Sequence, residues 1–200
     1  MDLLNELNDS QRSAVEYNEG PVLVVAGAGS GKTRVLTYKI AYLLEHGLKP
    51  WNILALTFTN KAANEMKQRI GNIVGHDVAC QLNMGTFHSV FSHILRIECE
   101  RLEFAPSFTI YDEADSRSLI KSIVKEMGLD DKIYKPANLH SRISMAKNHL
   151  ILPQQYANDS EALEDDRHRR MPAISQIYAT YSQRCKKANA MDFDDLLVMT

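Results

Sequence analysis

Val22-Leu23-Val24-Val25-Ala26-Gly27-Ala28-Gly29-Ser30-Gly31-Lys32-Thr33-Arg34 decides how this chain is read. An unbroken apolar run, entered from Pro21 and left at Gly27, predicts a strand buried on both faces of a parallel sheet. Beyond it Leu36, Ile40, Leu43 and Leu44 recur at helical spacing and Gly47 supplies a stop, so the glycines join a strand to a helix N-terminus. Glycines at 27, 29 and 31 permit a tight turn with converging N–H groups, where a side chain would block an approaching anion. The opening helix adds unpaired amides and the positive end of its dipole. Lys32 brings a point charge to the outer phosphates, and the Thr33 hydroxyl can complete the shell of a hydrated Mg2+ ion. The pattern G-x-x-x-x-G-K-[ST] is met except at its first place, where Ala26 stands. The expected ligand is a nucleoside triphosphate with Mg2+. The loop by itself does not separate kinases, transporters, GTPases and motor ATPases.

Outward from the loop, the periodicity keeps alternating. Residues 53–58 read as a second buried strand, and a helix capped by Asn60 runs to Val74 with Met66 and Ile70 on one face and Gly75 at its end. Residues 81–86 predict a third strand, 87–101 a helix and 108–111 a short fourth strand. This alternation implies α/β architecture: a mainly parallel sheet with helices on both faces. After Tyr111 the chain reads as helices only. One is capped by Asp112 and stopped by Gly128, one lies between Pro136 and Pro153, and one follows Pro172 to about residue 188. The mixed-charge stretch 161–170 reads as a solvated loop or helix start, with Arg167, Arg169 and Arg170 neutralised by Glu164, Asp165 and Asp166. A last helix, capped by Asp192, begins near the C-terminus with no closing signal, which reads as a piece of a longer protein.

Composition narrows the class. At 200 residues and 44% hydrophobic content the chain can hold a core without disulfides or metal. A formal net charge of -2 argues against a general basic coat for nucleic acid and leaves room for a local basic groove. Cys80, Cys99 and Cys185 are widely spaced and odd in number, which argues against a disulfide framework or a cysteine zinc site. Met1-Asp2-Leu3-Leu4-Asn5-Glu6 lacks a signal-peptide start, and no apolar run is long enough to span a bilayer. The expected location is the cytoplasm, without a membrane partner.

Three further segments matter together. Leu7-Asn8-Asp9-Ser10-Gln11 lies upstream of the first predicted strand; Thr57-Phe58-Thr59-Asn60-Lys61-Ala62-Ala63 ends the second, and Gly85-Thr86-Phe87-His88-Ser89 the third. The last two sit at the C-terminal ends of strands, where α/β proteins place their ligands. Their hydroxyls, aromatic rings and helix N-termini suit phosphate contacts and base stacking on a single strand. With the loop, these segments and Met191-Asp192-Phe193-Asp194-Asp195-Leu196, the chain resembles the N-terminal part of superfamily 1A DNA helicases of the UvrD/Rep/PcrA type, over essentially its whole length.

That resemblance implies a RecA-like first motor domain over residues 1–110, a helical inserted subdomain over 111–187 and a return to the motor domain at 188–200. It implies that Gln11 reads adenine and that Arg34 lies against the base. Ala26, Gly27, Ala28, Gly29, Ser30, Gly31, Lys32 and Thr33 hold ATP and Mg2+, with Lys32 and Thr33 as the catalytic pair and Thr33 on the metal. Phe58, Thr59, Asn60, Thr86, Phe87 and His88 line the single-stranded DNA track. It implies an ATP-driven motor with 3′-to-5′ polarity that acts on single strands and single/double-strand junctions beside replication or repair proteins. The acidic D-E-x-Q motif and the second motor domain of that family are not in this sequence. The alternatives are the motor part of a RecB/AddA-like helicase–nuclease and a non-catalytic nucleotide-binding module.

Bland readings compete with several of these roles. Phe58 can be core, Gln11 a surface residue, and His88 a structural contact, a general base or a metal ligand. Asp192, Asp194 and Asp195 fit a helix start better than a metal cluster.

Overall fold

The computed structural model describes residues 3–200; Met1 and Asp2, on which part of the reading of the N-terminus falls, lie outside the described residues. The chain divides into two compact units, the first ending at Val90 and the second running from Phe91 to Thr200.

In the first unit α1 (Asp9–Glu16) opens with a reciprocal capping box: Gln11 N donates to Asn8 Oδ1 at 2.9 Å and Asn8 N to Gln11 Oε1 at 3.2 Å. Helix α2 (Lys32–Glu45) packs beside it, and Lys39 Nζ donates to the Val15 carbonyl at 2.8 Å, closing the C-terminal end of α1. Then follow β1 (Leu54–Thr57), α3 (Asn60–Val74), α4 (His76–Cys80) and β2 (Asn83–Thr86). Strands β1 and β2 are parallel, with Leu54 opposite Asn83 and Thr57 opposite Thr86. On α3, Ala63, Met66, Ile70 and Gly71 form the buried stripe, and Met66 and Ile70 join Ile40, Ile53 and Leu82 in one apolar cluster.

Two expectations fail here. Residues 22–26 form no strand, and Leu23 and Val25 are 86% and 88% exposed. A strand exists only where a neighbour takes its N–H and C=O groups. Among the described residues the ladders are β1–β2 and β3–β4, the second described below, and neither borders this run. The continuous sheet with helices on both faces is therefore replaced by short parallel ladders in a mixed α/β, mainly helical chain. The cap of α3 is also Thr59 rather than Asn60. Thr59 keeps extended backbone and its Oγ1 accepts from Ala62 N at 3.2 Å, so Asn60 is already helical.

Helix α5 (Phe87–Glu98) carries the division between the units. The second unit continues with β3 (Thr109–Tyr111), α6 (Glu113–Glu126), α7 (Pro136–Asn148), α8 (Pro153–Asn158), α9 (Ser160–His168), α10 (Ile174–Lys187), β4 (Ala190–Asp192) and α11 (Phe193–Val198). The expected caps form at Asp112 and Asp192, each a reciprocal box with the aspartate three residues on. The charged stretch 161–170 is largely helix α9, capped by Asp159. Strand β4 pairs in parallel with β3, Thr109 opposite Ala190 and Tyr111 opposite Asp192, so the stretch after Tyr111 is not helical throughout. Its core joins Ile120, Ile123, Leu139, Ile143, Ile177 and Tyr178. Among the described residues no helix is long and apolar enough to cross a membrane.

Candidate functional site

The glycine loop folds around one carbonyl. Lys32 Nζ donates to Gly27 O at 2.7 Å and to Ala26 O at 3.0 Å, and Ser30 Oγ donates to Gly27 O at 2.7 Å. Ala28 lies in the turn, while Gly29 and Gly31 take φ of +77° and +85°, left-handed values that L side chains rarely adopt. Gly31 is the N-cap of α2 and offers no side chain, so the first-turn amides stay open. Thr33 stands in that turn, and its carbonyl accepts from Thr37 Oγ1 at 2.8 Å.

Gln11 and Arg34 flank the loop. Gln11 Nε2 donates to Ser30 O at 3.1 Å, joining the start of α1 to the loop. Arg34 pairs with Glu6 at 2.8 Å, and its guanidinium carbon lies 5.4 Å from the centre of the Tyr38 ring. The Tyr38 hydroxyl donates to the same carboxylate. This bond, together with Arg34, holds Glu6 below the usual carboxylate range; the same bond and burial raise Tyr38, against the opposing pull of Arg34. Reading along the sequence missed Glu6 and Tyr38. Tyr38, four residues after Arg34, was findable as its neighbour on a helical face, whereas Glu6 left no local signal.

An uncapped helix N-terminus, a lysine held only by loop carbonyls, and glycines at positive φ form a donor set that fits a polyphosphate. The Thr33 hydroxyl beside it fits Mg2+, an oxygen-seeking ion.

A second group gathers where β1 and β2 end. Because Thr57 pairs with Thr86, the residues after both strands emerge at the same edge of the ladder. Phe58 is 90% exposed, so it is not core, and its ring centre lies 5.5 Å from that of Phe87. Thr59 and Asn60, both exposed, open α3; Thr86, Phe87 and His88, all half-buried, lead into α5. Thr86 Oγ1 accepts from Ser89 N at 3.2 Å and so caps α5 as Thr59 caps α3. A Cβ on Gly85 would lie 2.6 Å from Ser89 Oγ, so a side chain there would displace the hydroxyl that bonds Thr86. Reading along the sequence places Ser89 in the segment 85–89 without this role, although the Thr86-x-x-Ser89 spacing signals a cap. The structure thus gathers the loop residues with Gln11 and Arg34, and separately the two strand-end groups.

The description "UvrD/REP helicase N-terminal domain" matches residues 7–200. The chain belongs to this helicase family. Over 199 residues, 99% of this chain, it is 45% identical to the ATP-dependent DNA helicase PcrA of Bacillus subtilis (strain 168). Over the same length it is 40% identical to the PcrA helicase of Leuconostoc citreum and 44% to that of Staphylococcus aureus (strain Mu50 / ATCC 700699). The match takes in 26% of each of these relatives, so the chain spans about a quarter of their length. Within the family match lie the glycine loop, Gln11 and both strand-end segments.

Proposed function

We propose that this chain is the part of an ATP-dependent DNA helicase that holds the nucleotide and one stretch of the single-stranded DNA track. The observation that carries the reading is an intact Gly-Lys-Thr at an uncapped helix N-terminus in a chain matched to the helicase family over residues 7–200. Residues 1–110 with 188–200 are assigned to a RecA-like motor domain and 111–187 to a helical insert. In this reading main-chain amides of residues 27–33 and the Lys32 ammonium bind the ATP phosphates. Lys32 exchanges its contacts with Ala26 and Gly27 for phosphate oxygens, and Thr33 supplies the protein ligand to Mg2+. Gln11 and Arg34 face the base. Phe58 and Phe87 offer an aromatic platform for unpaired bases, with Thr59, Asn60, Thr86 and His88 beside it toward the DNA backbone.

Hydrolysis in the parent protein would drive 3′-to-5′ movement on single strands and opening of single/double-strand junctions, in the cytoplasm, alongside replication or repair proteins. Phosphoryl transfer rests on positioning and charge stabilisation, and the 200 residues contain no D-E-x-Q. Negligible turnover by the chain alone is therefore expected. Titration calorimetry with a non-hydrolysable ATP analogue and Mg2+ tests the binding. Hydrogen bonds to a charged group contribute about 1.5–3 kcal/mol, so Lys32→Ala should weaken affinity by roughly ten- to a hundredfold. Equal affinity in chain and variant would overturn the reading.

A further inference from the structure

We infer that Gln11 sets the direction of the Ser30–Gly31 peptide, and so decides whether the loop presents a donor or an acceptor to phosphate; this rests on the nucleotide-binding reading above. The carbonyl and N–H of a trans peptide point opposite ways, and no cis peptide occurs among the described residues. Gln11 Nε2 takes the Ser30 carbonyl at 3.1 Å, and none of the described residues accepts from the Gly31 N–H. The peptide thus keeps its acceptor occupied and its donor open. Turned over, it would show phosphate a repelling carbonyl.

A tether is needed here because glycine resists such a turn least, and Gly31 sits at φ +85°. Gln11 is itself fixed: its Oε1 accepts from Asn8 N at 3.2 Å, which leaves its NH2 group directed to the loop. The approach is close, since a Cβ on Gly31 would come within 2.6 Å of Gln11 Nε2. Gln11 is thus a positioning residue acting through the main chain, a role that needs no base on the ligand.

Inorganic tripolyphosphate, which has no base, separates this role from base reading. Titration calorimetry is run with tripolyphosphate and with ATP, each with Mg2+, on the 200-residue chain, on Gln11→Met and on Asn8→Ala. Losing one neutral hydrogen bond should weaken tripolyphosphate by about fivefold, and ATP by at least that factor, in Gln11→Met. Asn8→Ala loses its side-chain cap on α1 yet keeps the backbone N–H that orients Gln11, so its tripolyphosphate affinity should stay unchanged while its melting temperature drops. The inference is overturned if Gln11→Met weakens ATP alone, which leaves nucleotide binding standing with Gln11 as a reader of the base. It is equally overturned if Asn8→Ala loses tripolyphosphate affinity as Gln11→Met does, since cap loss then explains both. If the unsubstituted chain binds neither ligand, the proposed function falls together with it.

Discussion

Lys147 is 2% exposed, and its ammonium lies 2.6 Å from Asp192 Oδ2 and 2.7 Å from Asp195 Oδ1. The Tyr181 hydroxyl donates to the same Asp192 oxygen at 2.8 Å and lies 3.0 Å from Ser116 Oγ. Asp192 and Asp195, two of the three aspartates that could be mistaken for a metal cluster, are therefore the acidic half of a buried ion pair and a helix cap. Burial opposes the Lys147 charge, but Asp195 and Asp192 outweigh it and push the ammonium up to about 12. Burial raises Asp195 to about 6, helped by the charge of Asp192, while Lys147 and Tyr181 hold Asp192 low against its own burial. A raised Lys147 contributes stability that is full below its ordinary 10.5 and lost as pH rises through about 12. Lys147→Met leaves two carboxylates facing each other without a cation, at a cost of about 3–5 kcal/mol near neutral pH. Chemical denaturation should show that loss shrinking as pH falls below 6, where the carboxyls take up protons. A loss independent of pH would argue against the charge account.

At the scale of elements, helix starts are the part of the fold the sequence states most clearly. Asp112 and Asp192 cap where their spacing predicts, because a capping box involves only residues three apart. Elements that depend on distant partners were harder to read. Strand β4 is three residues long and is defined by pairing with β3, so no local period announces it. The run at 22–26 shows the reverse, an apolar signal without a partner. The candidate site divides likewise. Lys32, Phe58 and Phe87 are legible from motif and strand position, whereas the bridges Gln11–Ser30 and Arg34–Glu6 join segments 19 and 28 residues apart. Thr59 has both a capping role and a proposed DNA contact, which Thr59→Asp separates. Aspartate caps as well as threonine, so melting should shift by little, while its charge repels phosphate. In the full parent helicase, fluorescence anisotropy should show single-stranded DNA affinity falling about tenfold. Phe58→Ala should lose roughly 1–3 kcal/mol of the same affinity. Unaltered anisotropy in both variants would remove this edge from the DNA track.

For the whole molecule, the exposed run at 22–25 and the small net charge of -2 favour self-association. Sedimentation velocity should show the chain assembling as concentration rises. The double variant Leu23→Glu with Val25→Glu, which interrupts the run and adds negative charge, should stay monomeric. Matching sedimentation of the two would locate any association elsewhere. The pairing of β3 with β4 has a different kind of consequence. The chain leaves that ladder at Tyr111 and, the strands being parallel, rejoins it at Ala190 opposite Thr109, one strand spacing of about 4.8 Å to the side and two residues, about 6.6 Å, back. A stretch whose exit and re-entry lie this close asks little of its host in span, so over evolutionary time it can lengthen, shorten or be exchanged while the two strands keep their register.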